Sequence, residues 1–411
     1  MTLKRTTLQF DEIEYVRMAE NLAAGKGPLE VSGLTSTHFT ALLPLGIAAA
    51  ATVFRSYVFS AYLVVTIFWS LITVPTYLLG RGLANGKVGL MAAALVAVMP
   101  AFIVNREYVY SESLYIFFLL FAIVFGRHMF RGCRVPCSIL AGTSLGLAYL
   151  ANPAALYYVL LFAGLAAAVA IRNGIWRHMA KATGLFLLFF ALFATPYVLF
   201  LHAELGRWTY SGKTVGGPIY EASNNLNGAP TIQSERDLES LTDDNTTLKI
   251  FQLEADTSVN NPINFAIAYP KQAVKNFFSQ LTVLHNQVMV ELVPLWLLPL
   301  AGLGLFAVGW TRRKAAGVGY LLLMLGPGVL NMMVLAYPRF FLAFVPLLMV
   351  WVAMGWSKLQ EWGGETVGLS FSEPRASRYR RWVPWILGVA VLLPPLAQAG
   401  YDGYHQSFDT G

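Results

Sequence analysis

Apolar and polar positions segregate along this chain into whole segments rather than alternating residues. Apolar runs occur at 57–80, 88–104, 112–130, 137–151, 154–172, 181–203, 289–310, 315–336, 340–357 and 382–399. Each approaches the ~20 residues that a membrane-spanning helix needs. A further run, 39–54, would make a helix of only about 24 Å at 1.5 Å per residue, against a hydrocarbon core of about 30 Å. It is read as a juxtamembrane helix. The long polar stretch 204–288 is rich in Asn, Asp, Ser and Thr ("SNNLNGAPTIQSERDLESLTDDNTTL"), and its length predicts a loop domain of its own. The pattern predicts an all-α polytopic membrane protein with about ten transmembrane helices. It divides into an opening polar segment with juxtamembrane helices (1–56), a six-helix module (57–203), the loop domain (204–288) and about four C-terminal helices (289–411).

Composition agrees. Of 411 residues, 56% are hydrophobic and 12% charged, where a soluble domain carries about 25% charge. The net charge of +7 does not point to nucleic acid, because the basic residues are scattered through short connections between apolar runs. Their placement instead sets the sides of the membrane. One set of alternate connections holds Arg81 and Lys87, Arg127, Arg131 and Arg134, Arg172, Arg177 and Lys181, Arg312, Arg313 and Lys314, and Lys358, Arg375, Arg378, Arg380 and Arg381. The opposite short connections hold Arg106 and Arg339. By the positive-inside rule the first set is cytoplasmic. The opening segment, "NREYVYSES" (105–113) and 204–288 then share the outer side of a cytoplasmic membrane. An outer position for residues 1–37 leads to the expectation of one further helix encoded upstream of Met1. Cys133 and Cys137, with no second cysteine pair nearby, read as reduced thiols at the membrane edge.

The opening "LQFDEIEYVRMAENLAAGKG" (8–27) carries a cluster of carboxylates on a chain otherwise poor in charge. Placed on a helix, its apolar arc holds Tyr15, Val16, Met18, Ala19, Leu22 and Ala23, with Asp11 and Glu12 inside that arc. Glu14, Arg17 and Glu20 fall outside it, on a solvated face. Asp11 and Glu14 also form a D-x-x-E capping box. Asp11 is therefore a helix cap, a catalytic acid or base, or both. A second acid, Glu112, opens an apolar helix in "REYVYSESLYIFF". It complements the helix dipole there, yet an ionisable group at the head of a buried helix is also a functional candidate. Arg106, Arg207, Lys213 and Arg339 are the cations available on the same side for an anionic substrate, arginine being suited by its fork geometry. Solvation in a loop is the alternative for Arg207 and Lys213, and snorkelling to the interface for Arg339. Tyr15 and Trp208 fit either sugar stacking or an interfacial aromatic belt, and His38 reads as a polar interface residue.

These segments resemble the GT-C glycosyltransferases, nearest the family 39 branch of protein O-mannosyltransferases and aminoarabinose transferases. "FDEIEYVRMAENLAAGKG" is similar to that family's first extracytoplasmic loop, with Asp11, Glu12 and Tyr15 at its Asp-Glu…Tyr positions. Glu112 in "YSESLY" matches its second acidic motif. "GTSLGLAYLANPAALYYVL" (142–160), "ATPYVLFLHAELGRWTYSGKT" (194–214) and "YPRFFLAFVPLLMVWVAMG" (337–355) resemble further family segments in the same order. Two features depart from the pattern: the family's first helix has no counterpart, and its Pro-Pro-Leu segment is replaced by "THFTALLPLG" (37–46).

The resemblance implies a GT-C bundle that transfers a hexosyl or pentosyl group. The donor would be a polyprenyl-phosphate sugar and the acceptor a protein, lipid or glycan outside the membrane, with inversion at the anomeric carbon. Asp11 would then act as base, with Glu12 and Glu112 assisting. Tyr15, Arg106, Arg207, Lys213 and Arg339 would bind substrate. Asp11 and Glu12 are also the candidate ligands for a divalent cation, Mg or Mn. A lipid or sugar transporter and a non-catalytic binding subunit are the rival readings. Transporters place charges and broken helices at mid-membrane, often in repeated halves; these spans carry almost no charge at mid-depth and show no internal repeat.

Overall fold

Proline and glycine decide where the apolar runs become separate helices and where those helices touch. The computed structural model describes residues 8, 11–132, 135–212, 266–267, 270–283, 292–306, 311–330 and 338–368. Among these, every named element is helical: α1 (Asp11–Ala23), α2 (Leu42–Phe54), α3 (Tyr57–Leu71), α4 (Thr73–Leu83), α5 (Gly86–Ala97), α6 (Pro100–Asn105), α7 (Glu112–Gly132) and α8 (Val135–Ala151). A short 3₁₀ turn (Pro153–Ala155) leads into α9 (Leu156–Asn173) and α10 (Trp176–Leu205). The described C-terminal part holds α11 (Pro270–Val283), α12 (Leu297–Phe306), α13 (Arg312–Leu330), α14 (Pro338–Phe341) and α15 (Phe344–Gly368).

Among the described residues, four stretches are long and apolar enough to cross a membrane: Tyr57–Leu83, Glu112–Gly132, Pro153–Asn173 and Trp176–Leu205. Shorter apolar helices accompany them: Leu42–Phe54, Gly86–Ala97, Val135–Ala151, Leu297–Phe306 and Lys314–Val329. The run 57–80 is two pieces, α3 and α4. Pro75 cannot donate to the carbonyl four residues earlier and its ring crowds that carbonyl, which belongs to Leu71, the last residue of α3. The run 88–104 likewise divides into α5 and α6, with Met99 extended (φ −66°, ψ 123°) and Pro100 opening the second piece. A residue before proline is driven out of the helical region, whereas proline itself suits a first helical turn. The run 382–399, the loop residues 213–265 and Lys213 lie outside the described residues.

The run at 39–54 forms α2, a helix of 13 residues, about 20 Å long and too short to cross. It ends at Arg55 in the left-handed region (φ 56°), and Ser56 caps α3 immediately afterwards by accepting the Phe59 amide. The helix packs between α1 and α3. The segment leading into it is tied to the bundle twice. Thr40 Oγ1 donates to the Ala151 carbonyl at the end of α8 at 2.7 Å, and Tyr197 of α10 donates to the Thr37 carbonyl at 3.4 Å.

In lipid, helices associate through close van der Waals packing, which small residues permit. The α8–α10 contact follows this rule through Gly142 and Gly146, four residues apart: a methyl at Gly142 would collide with the Phe186 carbonyl, and one at Gly146 would crowd Phe193. The α12–α15 contact uses Gly304 and Gly355 similarly, each backed by the other helix's backbone. One continuous apolar core runs from Tyr15 of α1 to Met354 of α15.

Gly142→Ala is expected to destabilise the protein by about 1–3 kcal/mol, the usual cost of overpacking. Gly164→Ala, which meets open space, should not. Thermal melting of the detergent-solubilised variants checks this, and equal melting temperatures would refute the close-packing account.

Candidate active site

Helix α1 buries Glu12, Tyr15, Val16, Met18 and Ala19, all within the arc read from its periodicity. Ile13 is 42% exposed and lies on the other side. Glu14 and Glu20 hold the outer face together: Glu14 Oε2 accepts the Val31 amide at 2.8 Å, and Glu20 pairs with Arg17 at 2.9 Å. Asp11 is the first residue of the helix. The Glu14 carboxylate, which a capping box would turn back toward the helix start, instead ties down the connection to α2.

Two bonds from one face of α1 hold the segment that precedes α7. Glu12, with no exposed surface, accepts the Val109 amide at its Oε1 at 2.9 Å. Three residues on, Tyr15 donates its hydroxyl to Ser111 Oγ at 3.2 Å. A buried carboxylate is tolerated only when donors meet it, and Glu12 has further electrostatic or hydrogen-bond company besides Val109. The clamp grips Val109 and Ser111 on either side of Tyr110, and Glu112 follows at the head of α7.

Arg339 of α14 closes this cluster. Its Nη1 lies 3.8 Å from Asp11 Oδ2, with side chains 41% and 36% exposed respectively. At that distance the contact is an ion pair rather than a hydrogen bond. The guanidinium carbon sits 5.9 Å from the Tyr110 ring centroid and 5.4 Å from that of Phe340. Tyr110 in turn stacks on Tyr108, 5.4 Å away with planes 8° apart.

Asp11 and Glu112 both act on the same three groups. Burial, then Glu112, raises the Tyr15 hydroxyl well above the usual phenol range, and Asp11 adds to this. Burial, then Asp11, does the same for Tyr110. For Arg339 burial works against the charge, but Glu112 and Asp11 outweigh it and hold the guanidinium more firmly protonated than usual. The structure thus brings Asp11, Glu12, Tyr15, Glu112 and Arg339 to one place.

Arg106 and Arg207 lie at the ends of other helices. Arg106 ends α6, its amide donating to the Phe102 carbonyl, and is half-buried. Arg207 follows Gly206, whose left-handed backbone (φ 67°) ends α10. Beside it the Trp208 ring, 68% exposed, stacks flat on His202 at 4.0 Å. Asp11 and Glu12, the candidate ligands for a divalent cation, both have partners here. One Glu12 oxygen is taken by Val109, Asp11 faces a guanidinium, and no group of three or more metal-binding side chains occurs among the described residues.

No protein-family model matches the chain, and no curated protein matches it by sequence. Solved structures do match it by fold. The archaeal oligosaccharyltransferase AglB of Archaeoglobus fulgidus, in complex with an inhibitory peptide and a dolichol-phosphate, superposes with a TM-score of 0.60 at 15% identity, over 98% of this chain and 53% of that one. The same organism's oligosaccharyltransferase in complex with Zn and sulfate gives 0.59 at 15% identity, over 97% and 50%. ArnT of Cupriavidus metallidurans bound to undecaprenyl phosphate gives 0.54 at 12% identity, over 96% and 69%. This chain has the GT-C fold. It spans about half the length of the oligosaccharyltransferases it matches.

On this GT-C bundle, the sequence reading did not single out Tyr110 or Tyr108. A usable signal was present in "YVYS" (108–111): tyrosines two apart in an extended segment point to one side. The partner, Arg339, is too distant in sequence for any local pattern to reveal.

Glu12→Ala leaves the Val109 amide buried without its acceptor and is expected to cost about 1–3 kcal/mol. Tyr15→Phe removes a neutral hydrogen bond worth about 0.5–1.5 kcal/mol. Melting of the two variants in detergent should therefore show the larger loss for Glu12→Ala; the reverse order would contradict the clamp.

Proposed function

We propose that the chain is a GT-C glycosyltransferase that moves a hexosyl or pentosyl group from a polyprenyl-phosphate donor to an acceptor protein, lipid or glycan. The observation that carries this reading is the convergence of Asp11, Glu112 and Arg339 on one end of a GT-C bundle. The likeness to structures holding dolichol-phosphate and undecaprenyl phosphate supports a lipid-phosphate donor. Connections at the opposite end carry most of the Lys and Arg, which supports a multi-pass protein of the cytoplasmic membrane with this site facing outward. The polar stretch 204–288 is read as the loop domain that covers the site.

In this mechanism the acceptor's hydroxyl or amine gives its proton to the Asp11 carboxylate as its lone pair attacks the anomeric carbon. The bond from that carbon to the phosphate oxygen breaks, and polyprenyl phosphate departs with the bonding electrons. A single displacement inverts the anomeric centre. It needs one base and no acid, since phosphate is a good leaving group, whereas a glycosidase needs both. Arg339 receives the phosphate charge through its N–H fork. Glu112 orients the acceptor and holds Arg339 in place. Glu12 and Tyr15 fix the geometry from below through Val109 and Ser111. Asp11 and Glu12 would be the residues to hold a divalent cation, Mg or Mn, which would supply charge for the donor's phosphate; the zinc of the oligosaccharyltransferase complex is a property of that protein.

Asp11→Asn keeps size and polarity but removes the base, and general-base loss typically costs about 10²–10⁴-fold in rate. The assay is release of free polyprenyl phosphate from polyprenyl-phosphate sugars by the purified protein. Full activity in the variant would remove Asp11 from the mechanism. Absence of any release by the unaltered protein, across hexosyl and pentosyl donors, would favour the transporter or binding-subunit reading.

A further inference from the structure

Arg339 is a long side chain on a four-residue helix, yet it is held from several sides. Asp11 faces it at 3.8 Å, Phe340 lies beside it, and the Tyr110 ring lies 5.9 Å from its guanidinium carbon. Tyr110 is itself fixed. Its neighbours Val109 and Ser111 are gripped by Glu12 and Tyr15, and Tyr108 stacks on its ring. Burial and the nearby Asp11 keep its phenol neutral, so the ring offers the guanidinium a quadrupole rather than a full negative charge. Such an attraction orients a cation without neutralising it. A carboxylate alone in that position would compete with an incoming phosphate for the same N–H donors.

We propose that Tyr110 is a positioning residue that keeps the Arg339 guanidinium set to receive the donor's phosphate. This rests on the assignment of Arg339 to that phosphate. The aromatic face holds the cation while its N–H edges stay available, and Tyr108 and the two α1 bonds keep the face still.

The experiment measures the affinity of the full chain in detergent for undecaprenyl phosphate and for undecaprenol, which lacks the phosphate. The unaltered protein should prefer the phosphate form. Tyr110→Leu, which keeps apolar bulk but loses the ring, should weaken undecaprenyl phosphate binding roughly 3- to 30-fold, the range expected of a cation–aromatic contact. It should leave undecaprenol binding and the melting temperature unchanged. Tyr110→Phe should restore the affinity, while Arg339→Gln should abolish the phosphate preference. Undecaprenyl phosphate affinity in Tyr110→Leu equal to that in Tyr110→Phe would overturn the role of Tyr110 while leaving that of Arg339 intact. An unaltered protein indifferent to the phosphate would overturn both.

Discussion

Glu12 has no exposed surface, so its carboxylate must be met by donors within the protein, and the Val109 amide at 2.9 Å is one of them. This requirement binds the first helix to the segment that opens α7. Because Tyr15 lies one turn further along α1 and donates to Ser111, the two segments cannot slide past one another without losing both bonds. The position of Asp11, one residue before Glu12, and of Glu112, one residue after Ser111, follows from that clamp. The two acids share a neighbourhood because the residues beside them are tied together.

The charges at this end then balance through Arg339. Three carboxylates close together in a partly buried setting repel, and a fixed cation lowers that cost. Arg339 is the cation the structure supplies, facing Asp11 and feeling Glu112 more strongly still. A neutral aromatic ring beneath it adds direction without consuming its charge. For the proposed role of Arg339 in receiving an anion, the long contact with Asp11, 3.8 Å, matters because it is an ion pair rather than a hydrogen bond.

Farther into the bundle, chemistry gives way to packing. The helices associate through glycine contacts such as Gly142 with the Phe186 carbonyl and Gly304 with the α15 backbone. Such close approaches give a rigid frame against which α14 and α1 can be set. The C-terminal ends of α8 and α10 contribute directly, through Ala151 and Tyr197, to fixing the connection between α1 and α2.

The sequence by itself determined the helical membrane architecture, because ~20-residue apolar runs admit few other structures once lipid removes water as a hydrogen-bond partner. It also determined which face of α1 turns inward, since periodicity places Glu12 with Tyr15, Met18 and Ala19 on a single arc. Hydrophobic runs did not show the breaks within 57–80 and 88–104, for which Pro75 and Pro100 account. Local sequence could not show whether Asp11 meets a backbone amide or another side chain, because a D-x-x-E pattern is compatible with both. Only the tertiary structure decided that Glu14 bonds Val31, that Asp11 faces Arg339, that Glu12 is engaged in holding Val109, and that Tyr110 lies beneath the guanidinium. These are contacts between segments far apart in the chain. Periodicity sets the direction in which a side chain leaves its own helix, but what it meets depends on how the helices pack, and that is a property of the whole bundle.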